Sequence, residues 1–165
     1  MDDAIRSALK TQYHAAFAML LDRVSACPEE LWTGGEFPRS FWRIAYHAAF
    51  YGELYLQNKF DDFKPWEKHR ENAPSLFEDA EDMAPYDREE VLQYATDVKS
   101  RIDGLIESAE LARDDSGFYW YDMPKLDHLV LGLRHVMEHV GQLGERLITA
   151  GIDIEWRSCS RERPC

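Results

Sequence analysis

The sequence has few cysteines and no long hydrophobic run. Its three cysteines, Cys27, Cys159 and Cys165, form no C-x-x-C pair. A disulfide framework is therefore not expected, and the pattern favours reduced thiols in a cytoplasmic protein. The first ten residues are charged throughout and lack the apolar core of a signal peptide. No segment approaches the ~18 apolar residues that a membrane-spanning helix needs.

Positive charge is also scarce. The 165 residues include 31 acidic and 19 basic side chains, which gives a net charge of −12 with histidine neutral. Nucleic-acid binding and docking on anionic membranes both depend on clustered lysine and arginine, so neither is expected. The length suits one compact domain. The expected partner is a small-molecule substrate.

Apolar residues recur at three- and four-residue steps, which predicts helices. The first helix contains Ile5 to Val24 and ends at Pro28, the second runs from Ser40 to about Asn58, the third from Asp87 to about Arg113, and the fourth from Pro124 to Ala150. Ser40 is expected to cap the second helix through its hydroxyl. Asp87 and Glu90 form the D-x-x-E variant of a capping box, and Gly151 is a C-cap candidate.

Four helices of ~20 residues predict an all-α protein, an antiparallel four-helix bundle. Residues 1–151 would form the bundle and residues 152–165 an irregular tail. No alternating apolar pattern requires a sheet.

A long connection, residues 60–86, joins helices two and three. It contains three prolines and the aromatic residues Phe60, Phe63, Trp66, Phe77 and Tyr86. Connections this long are usually functional or disordered. The aromatic residues favour a loop that packs over the bundle, and a crossover that merely joins two helices is the alternative.

The segment Leu133 to Leu147 contains two histidines four residues apart, His135 and His139. On a helix they lie about 40° apart and ~6 Å along the axis, so both imidazoles can reach one metal ion. Alone, such a pair is a weak signal, and two surface histidines are an equal alternative.

His47 strengthens the metal interpretation. It shares a helix face with Ile44, Tyr51 and Leu54, so it is expected to point into the bundle. A hydrogen-bonded core histidine is the alternative. Together, His47, His135 and His139 supply three neutral imidazoles, which suit Zn, Ni, Fe or Mn and leave coordination positions open. His14, His69 and His128 are expected to be structural or solvated.

Two other metal motifs are excluded. Residues 135–139 read H-x-x-E-H, an inverted zinc-peptidase signature. That enzyme class needs a further ligand well downstream in an α/β domain, and only 26 residues follow His139. Di-iron bundles need paired E-x-x-H motifs, and the sequence contains none.

The combination of one histidine on the second helix and H-x-x-x-H on the fourth resembles the DinB-like superfamily of bacterial metal-binding four-helix bundles. In that family the last motif is often followed by R-G-Q. Here the sequence continues V-G-Q, with Val140 where arginine is frequent. The resemblance extends from the first helix to Gly151, and it implies His47, His135 and His139 as metal ligands.

The resemblance also implies an activity. Members resemble thiol S-transferases and isomerases that use low-molecular-weight thiols such as bacillithiol or mycothiol. The resemblance also implies a homodimer formed through the first and fourth helices. Tyr51, Glu138 and Gln142 are candidates to orient water or substrate. The alternatives are a metal-dependent hydrolase, with Glu138 or another acid as base, and a non-catalytic metal-stabilised bundle that binds a small molecule or a partner.

Overall fold

The computed structural model describes residues 2–159, and every regular element in that range is helical. The α-helices are α1 (Asp2–Ala26), α2 (Glu29–Trp32), α3 (Phe41–Leu54), α4 (Arg88–Glu107) and α5 (Lys125–Thr149), with a 3-10 turn at Phe60–Asp62. The prediction of an all-α protein is therefore confirmed. The short α2 was not predicted, because it lies in a segment whose glycine pair and prolines indicate a loop.

The four long helices share one apolar core. Helix α1 packs against α4 and α5, and α3 packs against α5 and α4. Gly52 lies where α1, α3 and α5 meet: a Cβ atom at this position would lie 2.8 Å from Phe17 and 2.9 Å from Val136. Tyr55 contacts His128, whereas His47 contacts His139. Helices α3 and α5 therefore run in opposite directions, and this places the middle of α3 beside the histidines of α5.

Local signals define the start of α4 and the end of α5. Asp87 and Glu90 form the predicted capping box of α4. Gly151 has a φ of 78°, and its amide donates to the carbonyl of Ile148 while the amide of Ile152 donates to Leu147. This is a Schellman motif, which confirms the predicted end of α5. Ser40 is the N-cap of α3, but its side chain makes no capping hydrogen bond, so the predicted role of its hydroxyl was wrong.

Helix α4 ends six residues before the predicted position, and distant side chains explain the difference. Arg6 donates to the carbonyls of Ile106, Glu107 and Ala109. The side chain of Asn58 donates to the Ser108 carbonyl and accepts from the backbone amide of Glu110, both at 3.0 Å. These contacts satisfy backbone groups that would otherwise continue the helix.

The long connection packs against α3, as its aromatic residues indicated. Arg43 is 1% exposed, and its guanidinium donates to the carbonyls of Asn72, Ser75 and Glu81, at 3.3, 3.4 and 2.7 Å. Tyr86 lies at the C-terminal end of the connection, where its carbonyl accepts a hydrogen bond from the Trp32 indole at 2.8 Å. The middle of the connection is therefore held close to the N-terminal half of α3.

The segment after α5 is irregular and lies along α1. Arg23 donates to the Glu155 carbonyl at 2.8 Å, and Arg157 contacts the Asp22 carboxylate at 2.5 Å. Cys27 is a free, buried thiol, as expected. Cys159 is disulfide-bonded, so the expectation of reduced thiols was wrong for this residue. Cys165 lies outside the described residues.

No helix among the residues that the structure describes is long and apolar enough to span a membrane.

Candidate metal centre

His47 lies in the middle of α3 and is 4% exposed. Its Nδ1 atom donates to the carbonyl oxygen of Pro74 at 2.5 Å, and Pro74 belongs to the long connection. Burial, the main cause, lowers the pKa of His47 to about 3. His47 is therefore neutral at physiological pH, and because Nδ1 carries the proton, the lone pair is on Nε2.

The two histidines of α5 meet His47 at one point. The Nε2 atom of His135 lies 3.1 Å from that of His47 and 3.1 Å from that of His139. Burial lowers the pKa of His135 to about 4, and it also lowers the pKa of His139. Three neutral imidazoles thus present the same ring nitrogen to a shared space. We call His47, His135 and His139 the histidine triad.

A hydrogen bond fixes the orientation of His139. Its Nδ1 atom lies 2.9 Å from Oε1 of Gln142, one turn further along α5. Nδ1 is therefore the donor, and Nε2 carries a lone pair, as in His47. The Nε2 atom of His135 can donate to only one of these two lone pairs. Hydrogen bonding within the triad therefore leaves one buried acceptor unsatisfied, whereas a cation would satisfy all three nitrogens.

The spacing matches a shared cation. Imidazole nitrogens bound at 2.0–2.1 Å to one zinc ion are about 3–3.4 Å apart. The three ligand atoms of the triad all lie within 4.8 Å of one another, and two of the separations are 3.1 Å. Partners on Nδ1 that fix ring orientation are typical around metal-binding histidines. The triad could therefore hold a divalent metal ion.

Tyr51 joins the triad to a cavity. Its ring contacts those of His47 and His135, with centroids 4.5 and 5.5 Å away. The cavity has a volume of about 440 Å³ and is lined by Tyr51 and Pro74, among others. We call it the aromatic cavity, because Phe50, Phe60, Phe63 and Trp120 also line it. The triad histidines are not among its lining residues, and the cavity meets the triad through Tyr51 and through Pro74, whose carbonyl contacts His47.

The other predicted site residues lie in different positions. Gln142 is occupied in holding His139. Glu138 is exposed on α5, and its charge, like the hydrogen bond to Gln142, partly opposes the lowering of the His139 pKa by burial. Val140 is buried in the core. Burial is the main cause of the low pKa of His47 and of His139, and Arg39, before α3, adds a smaller electrostatic contribution to both.

The remaining histidines are structural. Asp103 pairs with His14 at 2.9 Å, and Tyr46 hydrogen-bonds to His69 at 2.8 Å. His128 is fully buried beside Lys125. His69 packs on Phe50, with ring centroids 5.0 Å apart, so it belongs to the folded connection and is only partly exposed to solvent.

Sequence reasoning missed three residues around the triad. Pro74 and Arg43 act through the long connection, whose path no local pattern reveals, and Arg39 lies in the loop before α3. A charge argument could have selected Arg43, because an arginine inside an apolar helical stretch needs several acceptors once it is buried.

Comparison with known protein families gives one result that covers most of the chain. The family model for the DinB superfamily matches residues 12–143, a range that includes all three triad histidines. Comparison with curated proteins and with solved structures gives no match. The chain therefore belongs to the DinB superfamily.

Proposed function

We propose that this protein is a divalent-metal-dependent enzyme that joins a low-molecular-weight thiol to a small electrophile. The observation that carries the proposal is the convergence of three neutral imidazoles, with Nε2 atoms 3.1 Å apart in two of the pairs, beside a cavity. His47, His135 and His139 would hold the ion. Zn, Ni, Fe and Mn all suit three imidazole ligands.

The donor set favours thiol chemistry. A bound divalent ion stabilises the thiolate form of a thiol, which is the nucleophile. The triad is neutral, so it leaves the charge of the ion uncompensated. In the transfer, the thiolate sulfur forms a bond to the electrophilic carbon, the leaving group departs with its electron pair, and the thiol proton passes to solvent.

Tyr51 is the residue best placed to orient the substrate. Burial raises the pKa of its phenol, so the hydroxyl stays protonated and can donate a hydrogen bond at neutral pH. The ring contacts two triad histidines and also lines the cavity. Gln142 would act mainly through His139, whose Nδ1 atom it contacts at 2.9 Å.

Hydrolysis is the competing activity, and it needs a general base near the ion. Among residues 2–159, the cluster that could hold a metal contains histidines alone. Glu138, the base suggested by the sequence, is exposed on α5. These observations favour transfer over hydrolysis.

The test is a conjugation assay with protein loaded separately with Zn, Ni, Fe and Mn. Bacillithiol and mycothiol would be offered with a panel of electrophiles, and thioether products detected by mass spectrometry. Metal-dependent product that is absent with His135→Ala is expected. Product that takes its new oxygen from ¹⁸O-labelled water would identify a hydrolase. Full metal loading with no product from any pair would contradict the proposal.

The antiparallel bundle, the homodimer that the resemblance implies and the cytoplasmic location that the sequence suggests are part of the same proposal. The apolar residues Val130 and Ile148 are about half exposed on α5. They are 18 residues apart, which is five helical turns, so they share one face. Light scattering after chromatography is expected to show a dimer, and Val130→Glu with Ile148→Glu is expected to give a monomer.

A further inference from the structure

The aromatic cavity has an uneven chemical lining. Its inner wall is apolar, because it is formed by Phe50, Tyr51 and Leu54 of α3. Its mouth carries apolar residues that are exposed to solvent: Phe77 is 67% and Tyr119 is 89% exposed. Exposed apolar side chains gathered at one opening mark binding sites.

The charged groups of the cavity all have one sign. Glu71 and Asp79 line it and are exposed at its mouth. No lysine or arginine of the described chain is among its lining residues. His69 is the other titratable group beside them, and burial lowers its pKa, so it adds no positive charge at neutral pH. The whole protein carries a net charge of −12.

The rings at the mouth form a compact wall. Trp120 contacts Phe60 and Tyr119, with centroids 5.2 and 4.5 Å away and planes close to perpendicular. Such a wall offers both ring faces and edges to a bound molecule. Aromatic faces attract cations, and carboxylates at the same opening add to that attraction.

We propose that the aromatic cavity is the electrophile subsite, and that it selects uncharged or cationic molecules with an aromatic or aliphatic body and rejects anions. This inference rests on the proposed function, since it names the substrate class of that enzyme. It separates the two reactants by charge. An anionic thiol would be excluded from the cavity by the same carboxylates.

Three probes of one shape test the selection: 4-phenylbutylamine, 4-phenylbutanol and 4-phenylbutyrate. Their dissociation constants would be measured by ligand-observed NMR at pH 7. The amine and the alcohol are expected to bind, and the carboxylate about tenfold or more weakly than the amine. Equal binding of the carboxylate and the amine would overturn the charge selection.

Matched variants locate the binding. Trp120→Ala is expected to weaken all three probes, whereas Trp156→Ala, at a tryptophan that is 76% exposed and is not a lining residue, should change none. In the double variant Glu71→Gln and Asp79→Asn, the dissociation constants of the amine and the carboxylate should become similar, and that of the alcohol should not change. Unchanged binding in Trp120→Ala would overturn the assignment of the cavity, provided circular dichroism shows an intact fold.

A paramagnetic ion tests whether the cavity serves the triad. In protein loaded with Co²⁺, the NMR lines of bound 4-phenylbutanol should broaden, and they should not broaden in His135→Ala. Binding without broadening in cobalt-loaded protein would overturn the subsite assignment. The titration itself needs no metal. Probe binding in a protein that takes up no metal would therefore refute the proposed function and leave the charge selection standing.

Discussion

The Nδ1 atom of His47 lies 2.5 Å from the carbonyl oxygen of Pro74, 27 residues further along the chain. This hydrogen bond joins the triad to the long connection. It fixes the tautomer of His47, because the proton on Nδ1 leaves the Nε2 lone pair facing His135. The long connection therefore supplies part of the site and is more than a link between α3 and α4.

Arg43 is expected to support both the fold and the site. Replacing it with methionine removes the donor to three carbonyls of the connection. The free energy of unfolding should fall on the order of 2–4 kcal/mol, measured by urea denaturation, and metal affinity should fall with it. Arg43→Lys keeps one cationic donor, so its free energy of unfolding should lie between those of the parent and Arg43→Met. A stability equal to that of the parent would show that these hydrogen bonds contribute little.

Gln142 is expected to act through an acceptor oxygen. Gln142→Leu removes the partner of His139 Nδ1 and should weaken metal binding roughly 10- to 100-fold. Gln142→Glu keeps an oxygen in place and should retain the affinity. Competition with a coloured chelator gives both values. If the two variants lost affinity equally, the amide nitrogen or the packing of Gln142 would be what matters.

Gly52 is expected to be required for the close approach of three helices. In Gly52→Ala the new Cβ atom meets Phe17 at 2.8 Å and Val136 at 2.9 Å. Overpacking of this kind typically costs about 1–3 kcal/mol. Gly104→Ala is the matched control, because no atom lies within 4 Å of its Cβ position, and a helical alanine there should stabilise by ~0.5–1 kcal/mol. Thermal unfolding gives the midpoint of each variant. Midpoints that shift in the same direction from the parent value would contradict this account.

His128 is expected to make stability depend on pH. Burial and the nearby Lys125 ammonium lower its pKa to about 4, against 6.5 for an exposed imidazole. Between pH 6.5 and about 4 the unfolded chain binds this proton and the folded chain does not, so stability falls as pH falls through that window. The loss is on the order of 1–3 kcal/mol. His128→Gln should flatten the pH dependence relative to the parent, and parallel curves would refute the assignment.

Much of the fold follows from local signals, and the departures have physical causes. The capping box at Asp87 and the glycine after α5 act within one helical turn, so the sequence predicts them directly. The end of α4 depends on Arg6 and Asn58, which are distant in sequence. A serine before the second predicted helix also indicates a cap at Ser40, but residue type alone cannot show that the serine hydroxyl makes no hydrogen bond to the helix.

The candidate site also has some parts that the sequence predicts and others that it does not. His135 and His139 are one turn apart on one helix, so their convergence follows from helix geometry. His47 could be added because its apolar neighbours predict burial. Pro74, Arg39 and the cavity mouth come from irregular segments. Their positions depend on the tertiary path of the chain, which no periodicity encodes.

Metal content tests the central claim most directly. Tag-free parent protein, His47→Ala, His139→Ala and the control His14→Ala would be incubated with divalent ions, dialysed and measured by elemental analysis. His14 is a suitable control because it pairs with Asp103, away from the triad. The account predicts close to one ion per chain in the parent and in His14→Ala, and almost none in the two triad variants. A parent that retains no divalent ion, or triad variants that retain as much as the parent, would contradict it.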